Sequence, residues 1–347
     1  MPLRKAGANW VEGPDRFFDR EVELEALAER ARDGTHTLLT AQRRMGKTSL
    51  IRELLRRLAA EGNLDTVFVD LEDAADAADA VAAIGVEAKS VKGALRGGEY
   101  AVPEGKRAAD AFLSWLRKNG QAHRGRVVMI LSGSIGLEPI LRRAGLSAQA
   151  NIYSSFDLQP WDEATASACI GELAKTYDLD LPPDVRRNMC HRLRCQVPHH
   201  VQSFFDHLHE YLRRNRRSAA SLEDVERVYN DEMLSVRGQV DLEHYETRIR
   251  MVLGTQDYRT ALELLTEAAI RDGKLCDDIV DRYREGLAGP VGGASASAST
   301  VEDVLRLLEH DGYLERQEDG YRFVSGLLED WWLARHGRHF VSIARRA

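Results

Sequence analysis

The segment Ala41–Gln42–Arg43–Arg44–Met45–Gly46–Lys47–Thr48–Ser49 concentrates residue types that can handle a polyanion: a glycine, a lysine and two successive hydroxyls. Gly-Lys-Thr closes the pattern G-x-x-x-x-G-K-[ST]. In that pattern backbone N–H groups and a helix N-terminus surround phosphate oxygens, the lysine reaches the β and γ phosphates, and the hydroxyl ligates Mg²⁺. Here Gly46, Lys47 and Thr48 take those places, and Ala41 through Ser49 form the expected ATP-binding loop, with Thr48 as the Mg²⁺ ligand. The first position holds Ala41 in place of glycine. Alanine is the smallest substitute but tolerates a positive φ less freely.

A loop of this kind works only between a buried strand and a helix, and the flanking sequence supplies both. Thr37–Leu38–Leu39–Thr40 reads as a short buried strand. SLIRELLRRLAAEG after the loop carries Leu50, Ile51, Leu54, Leu55 and Leu58 on one helical face and stops at Gly62. Upstream, REVELEALAERAR reads as an amphipathic helix with Asp19 as its N-cap and Gly34 as its end. TVFVDLE and RVVMILSGS are β-branched runs of strand character, separated by the helical DAFLSWLRK, and SSFDLQPW is a further short strand. Strand and helix in alternation predict an α/β fold with a parallel sheet.

Beyond Trp161 the pattern turns helical, with helices over 162–177, 183–194, 199–214 and 221–233. The last third predicts helices over 260–272, 275–285 and 300–311, then the hairpin GYLERQEDGYRFVSG. Three helices followed by a two-stranded wing is a winged-helix signature. The small polar run GPVGGASASAST reads as a flexible loop. The expected organisation is a P-loop core over 1–160, a helical lid over 161–236 and a winged-helix domain over 237–347.

The chain has 347 residues, 44% hydrophobic and 30% charged, with a formal net charge of -7, which gives no global pull toward nucleic acid or anionic membranes. No stretch of eighteen apolar residues occurs, so a membrane role is not expected. Cys169, Cys190, Cys195 and Cys276 lie on segments that read as helices and lack framework spacing, which suits a reducing, cytoplasmic setting.

The loop AQRRMGKTSL, the upstream FFDREVELEAL, the strand VFVDLED, the segment ILSGSIGLEPIL and the C-terminal DGYLE and YRFVSGLLEDWW together resemble the archaeal-type ATPases of the STAND and AAA+ branch of P-loop proteins. The resemblance runs in the family's order over almost the whole chain. It implies a parallel-sheet ATPase core, a lid, and a winged helix that reports nucleotide state. It also implies that Asp19–Arg20–Glu21 lies near the adenine, that Ser134 in Ser132–Gly133–Ser134 senses the γ-phosphate, and that Gln196–Val197–Pro198 matches the lid's Gly-x-Pro, with Gln196 a departure.

Such ATPases also need a Walker B strand ending in paired acids, which hold Mg²⁺ and polarise water. None is found in the sequence, and the gap falls around 74–109. Asp70 and Glu72 match the family's edge strand, away from the metal; the alternative is that a rearranged sheet brings them in as substitutes for the missing pair. The reading is therefore an ATP/ADP-binding switch with weak or lost hydrolysis and a protein partner. The alternative is a winged-helix DNA-binding regulator with a vestigial nucleotide fold, and against it stands the acidic helix TVEDVLRLLEHDG, which would repel phosphates.

Cys190, His191, Cys195, His199 and His200 match no usual zinc spacing. His207 and His209 are expected to face solvent. The basic run Arg213–Arg217 reads as a solvated helix end, and Trp331 and Trp332 as packing residues.

Overall fold

The computed structural model describes residues 2–6, 10–11, 13, 15–71, 80, 82–84, 87, 106–133, 151–235, 240–253, 255–287 and 294–346. The chain divides into two compact units. The core unit takes in Ala6–Ala41 and Gly46–Gln159, and the helical unit takes in Met1–Lys5, Gln42–Met45 and Pro160–Ala347.

The core unit begins with helix α1 (Glu21–Arg32), strand β1 (Thr37–Thr40) and helix α2 (Lys47–Glu61). Helix α3 (Lys106–Ala122) and strands β2 (Ile130–Ser132) and β3 (Ser154–Asp157) follow. The sheet has the order β2-β1-β3, with β1 parallel to both neighbours. Leu38 and Leu39 of β1 are buried, as are Leu50, Ile51, Leu54 and Leu58 of α2, the face expected from their spacing.

An ionic lattice joins α1 to α2. Arg57 spans Glu21 at 2.5 and 2.8 Å and also donates to Glu53 at 2.8 Å. Glu53 is buried, and the Arg56 guanidinium beside it holds its carboxyl below the usual range. Arg30 extends from α1 to the carbonyl of Ser155 in β3, at 3.1 Å.

Two expectations for this unit change. Asp19 is not the N-cap of α1: Asp19 (φ 61) and Arg20 (φ 71) are both left-handed, the capping position falls to Arg20, and no side chain caps the helix. A capping aspartate needs extended backbone to reach the first-turn N–H groups, and Asp19 does not have it. TVFVDLE forms no strand over its described residues, 66–71. A β-branched run becomes a strand only where a neighbour accepts its ladder, and among the described strands both edges of β1 are already taken by β2 and β3.

The helical unit opens with α4 (Glu163–Thr176), α5 (Pro183–Leu193), α6 (Pro198–Arg214) and α7 (Leu222–Val228), followed by a π-helical turn over Tyr229–Met233. Asp162 caps α4 by accepting from Thr165 N–H at 2.7 Å, and Ser221 with Asp224 forms a capping box on α7. Leu173, Met189, Leu193, Val201, Phe204, Phe205 and Leu208 are fully buried between these helices. Each such side chain contributes about 1.5–3 kcal/mol relative to exposure.

The remainder comprises α8 (Val240–Val252), α9 (Thr255–Ala269), β4 (Lys274–Cys276), α10 (Asp277–Leu287), α11 (Ala294–His310), β5 (Leu314–Gln317), β6 (Gly320–Phe323) and α12 (Gly326–His336). Its strands form an antiparallel sheet of order β4-β6-β5. Leu275 and Cys276 therefore lie in a strand, not a helix, and Cys276 is exposed, while Cys195 sits in the turn after α5. Part of the run read as a flexible loop is helical, because α11 begins at Ala294. Alanine and serine extend the amphipathic VEDVLRLL segment backwards at little propensity cost.

Glu246 of α8 ties three helices together. It accepts from Tyr258 of α9 at 2.8 Å and from Arg335 of α12 at 2.7 Å, with the His336 ring at 3.4 Å. The His336 ring, then Tyr258 and Arg335, hold its carboxyl down at about 2. A carboxyl depressed on folding stabilises fully above the ordinary carboxylate range, and that contribution is lost as pH falls through the folded value. Thermal melts from pH 7 to pH 2 should show the wild type losing up to about 3 kcal/mol from this group. Glu246→Gln should start lower at pH 7 and show a shallower acid limb; an unchanged limb would contradict the assignment.

Candidate functional site

The loop between β1 and α2 has the backbone of an anion cradle. Arg44 (φ 65) and Gly46 (φ 84) are both left-handed, and α2 starts at Lys47 directly after them. Left-handed residues interleaved with other conformations turn successive N–H groups toward one concave side, and the helix N-terminus adds its dipole there. A non-glycine residue at positive φ is uncommon, and such strain clusters at functional sites. The Lys47 ammonium folds back across the loop and donates to the carbonyl of its first residue, Ala41, at 2.8 Å. That bond places a positive charge at the mouth of β1.

Thr48 is half-buried in the first turn of α2. Ser49 is buried, and its hydroxyl accepts from Val11 N–H at 3.0 Å, so it anchors the N-terminal segment onto α2. Arg20 is buried and turns back to Glu23 at 2.6 Å. Ser134 and the 74–79 and 88–105 stretches of the Walker B gap lie outside the described residues. Asp70 is exposed, on the run that precedes that gap.

One carboxylate that sequence reasoning passed over lies beside the loop. Asp157 ends β3 in register with Thr40, the last residue of β1, and accepts from the Thr40 hydroxyl at 3.3 Å. Ligands of open parallel sheets gather at the carboxyl ends of the strands. The sequence signal was an acidic residue closing a four-residue strand.

Within the helical unit, the loop tip Gln42–Met45 is tied down. The Arg44 carbonyl accepts from His199 N–H at 3.4 Å, at the start of α6, and Met45 is buried. The Gln42 side chain rests on Gly312, where an added Cβ would overlap it. His200 is buried, its Nε2 lies 3.3 Å from the Tyr245 hydroxyl, and burial pushes its ring well below the ordinary histidine range.

His207 and His209 do not simply face solvent. His207 lines a small cavity with His199, His200 and Ser203, and His209 stacks on Phe205 and meets Tyr177 at a tilt, with ring centroids 5.0 Å apart. Gln196 is buried, donates to the Cys190 carbonyl at 2.9 Å and bridges to Trp161.

Among the described residues, Asp206, His209 and Glu210 are the group whose donor atoms approach within 4.8 Å of one another, and the Lys5 ammonium already sits on Asp206. Three arginines of the basic run are paired internally: Arg213 with Glu210 at 2.7 Å, Arg214 with Glu232, and Arg217 with both oxygens of Asp224 at 2.8 Å. Their charge is largely spent within the unit.

Solved structures are similar to this chain over most of its length. A Walker-type ATPase of Pyrococcus abyssi matches with a TM-score of 0.57 at 14% identity, over 93% of this chain and 98% of its own. The ORC2 protein of Aeropyrum pernix, solved in ADPNP and ADP complexes, matches with a TM-score of 0.58 at 14% identity, over 95% and 98%. The fold is that of the P-loop NTPases. No protein-family model matches the sequence, and no curated protein does. At this identity the likeness speaks for the P-loop fold alone. The cradle and Lys47 are this chain's own evidence for what the fold binds. No described helix is long and apolar enough to cross a membrane.

Proposed function

We propose that the protein is an ATP-binding switch of the AAA+ and STAND type, whose nucleotide holds the P-loop core, a helical lid over 161–236 and a winged-helix domain over 237–347 in one functional state. The observation that carries this reading is the Lys47 ammonium spanning the loop mouth to the Ala41 carbonyl, above a backbone turned by two left-handed residues. A triphosphate replaces that carbonyl as the lysine's partner, and charge-assisted contacts of this kind are about twice as strong as neutral ones.

The residues present fit the nucleotide. The N–H groups of Gln42 through Thr48 would hold its phosphates, Thr48 would ligate Mg²⁺, and Ser134 would sense the γ-phosphate. Mg²⁺ when bound neutralises charge on the phosphate oxygens. The sequence offers no apolar run ending in paired acids to hold the metal from the opposite side, so turnover is expected to be slow or absent.

The three helices α9, α10 and α11 with the antiparallel β4-β6-β5 sheet support the winged-helix assignment. The acids Glu302, Asp303 and Glu309 on α11 favour a protein partner over DNA.

Titration of the full chain with a fluorescent ATP analogue, with and without Mg²⁺, tests the reading, followed by a phosphate-release assay on the same sample. Micromolar binding that tightens with Mg²⁺, with turnover below about 0.01 per second, is expected. No binding at millimolar nucleotide would refute the switch, and fast turnover would refute the lost-hydrolysis part.

A further inference from the structure

In a chain whose formal net charge is -7, the stretch after Asp330 holds no acid and carries Arg335, Arg338, Arg345 and Arg346. Arg335 is taken by Glu243 and Glu246, and Arg346 by Glu263 at 2.7 Å. Arg338 and Arg345 are exposed and have no ion-pair partner among the described residues. Arg338 lies in the short turn Gly337–His339 that follows α12, and Arg345 in the turn Ile343–Arg345.

The same part of the helical unit exposes apolar side chains. Leu333 of α12 is 42% exposed, Ile270, directly after α9, 37%, and Val341 55%. A Cβ at Gly337 would lie 2.7 Å from Leu333 Cδ1 and 3.7 Å from Ile270 Cγ2, so the glycine leaves a notch with those two side chains as its walls. Val341 is fixed in place by the residues that follow it. Ser342 is buried and accepts from Arg271 at 2.9 Å, and the Ile343 N–H donates to the fully buried Glu267 at 2.5 Å. Arg271 follows Ile270 directly, so these bonds pin the tail to the turn that carries one wall of the notch.

Apolar side chains exposed singly need no explanation, but apolar walls around a notch, with unpaired charge alongside, have the composition of a contact site. Holding them in place beforehand lowers the entropy cost of docking. The charge selects the occupant, since two unpaired arginines against one acid of the adjoining turn, Asp272, complement an acidic ligand. A nucleic acid would leave Ile270, Leu333 and Val341 unused, and two cations are few beside the roughly six to ten phosphate contacts of a binding protein. A lipid surface needs a continuous apolar face or a longer basic run. We propose that the notch at Gly337, walled by Leu333 and Ile270 and flanked by Val341, docks an acidic amphipathic segment of a protein partner, with its apolar side chains in the notch and its carboxylates on Arg338 and Arg345. This deepens the protein-partner part of the proposed function and rests on it.

The test is fluorescence anisotropy of the full chain with a fluorescein-labelled synthetic peptide of Glu, Asp and Leu patterned as an amphipathic helix, from about 50 to about 300 mM salt. Binding at tens of micromolar is expected at low salt, weakening about tenfold as salt rises, and a control peptide with Lys for every acid should not bind. Leu333→Asp should weaken binding about tenfold. Gly337→Leu should do the same by filling the notch, and because Gly337 (φ -71) has helical backbone a side chain there brings no backbone strain. Arg338→Glu with Arg345→Glu should weaken binding about tenfold at low salt and flatten the salt dependence.

The substituted side chains are exposed or absent, so thermal midpoints should stay close to wild type. Should a notch variant unfold, the arginine pair decides, since undiminished binding there overturns the proposal equally. No binding of the acidic peptide, equal binding of the Lys control, or unchanged affinity in the notch variants also overturns it. So does tighter binding to duplex DNA or to phosphatidylserine vesicles than to the peptide, or self-association that Gly337→Leu abolishes, each of which gives the surface to another occupant. Nucleotide binding is titrated on the same samples. If wild type docks the peptide but binds no nucleotide, the switch reading fails and the docking site stands; if it binds nucleotide but not the peptide, this inference alone fails.

Discussion

Lys47→Ala should lower the affinity of the full chain for MgATP by roughly 100-fold while leaving the fold intact, because charge-assisted contacts to two phosphates are removed at once. The structural cost is small by comparison. The lysine's bond to the Ala41 carbonyl is one hydrogen bond on a partly exposed loop, contributing about 1 kcal/mol. Isothermal titration on matched samples, with far-ultraviolet circular dichroism as the control for folding, separates the two effects. Equal affinities for wild type and variant would mean that the loop is not where the triphosphate sits.

The largest stability effect is expected from Trp332→Ala. Trp332 is fully buried in α12, meets Trp331 edge-to-face with centroids 5.5 Å apart, and donates from Nε1 to the Thr266 hydroxyl of α9 at 3.1 Å. Removing it leaves a void and takes one donor from the Thr266 oxygen, whose hydroxyl still donates to the Leu262 carbonyl at 2.6 Å; the loss is about 3–5 kcal/mol, mostly from the void. That is a large share of a typical domain's stability. Trp332→Phe keeps most of the ring and should cost about 1–2 kcal/mol, mainly for the lost hydrogen bond. Urea unfolding followed at the far-ultraviolet helix signal reads both, and an unshifted midpoint in Trp332→Ala would show that α12 does not help hold the helical unit together.

What the sequence made legible divides along a physical line. The loop could be read because its chemistry is local: Gly46, Lys47 and Thr48 are adjacent, and the strand before them and the helix after them each show their own period. Helices α4 to α7 were placed within a few residues because Asp162, Ser221, Pro183 and Pro198 mark their starts.

Features that need a distant partner were harder to read. TVFVDLE has strand composition but forms no described ladder, and Leu275 joins a three-residue strand only because Tyr321 lies opposite it. The Arg248–Asp311 pair links residues 63 apart, and no spacing rule would have joined them. Asp157 was passed over because its place beside Thr40 comes from the parallel register of β3 on β1, which only the sheet order reveals. The left-handed turn at Asp19 and Arg20 was hidden because aspartate before a helix ordinarily means an extended cap.

Strand β1 is hydrogen-bonded along both flanks, and only six residues separate its end from the start of α2. The loop is thus a short bridge with both abutments fixed. Its amides can reorient, but neither end can travel without breaking the sheet or unwinding a helical turn. Whatever signal passes from a bound anion must leave sideways through the crest, Gln42 to Met45, and not along the strand. Amide exchange should accordingly be slowest at Leu38 and Leu39, and should change with nucleotide at the crest first.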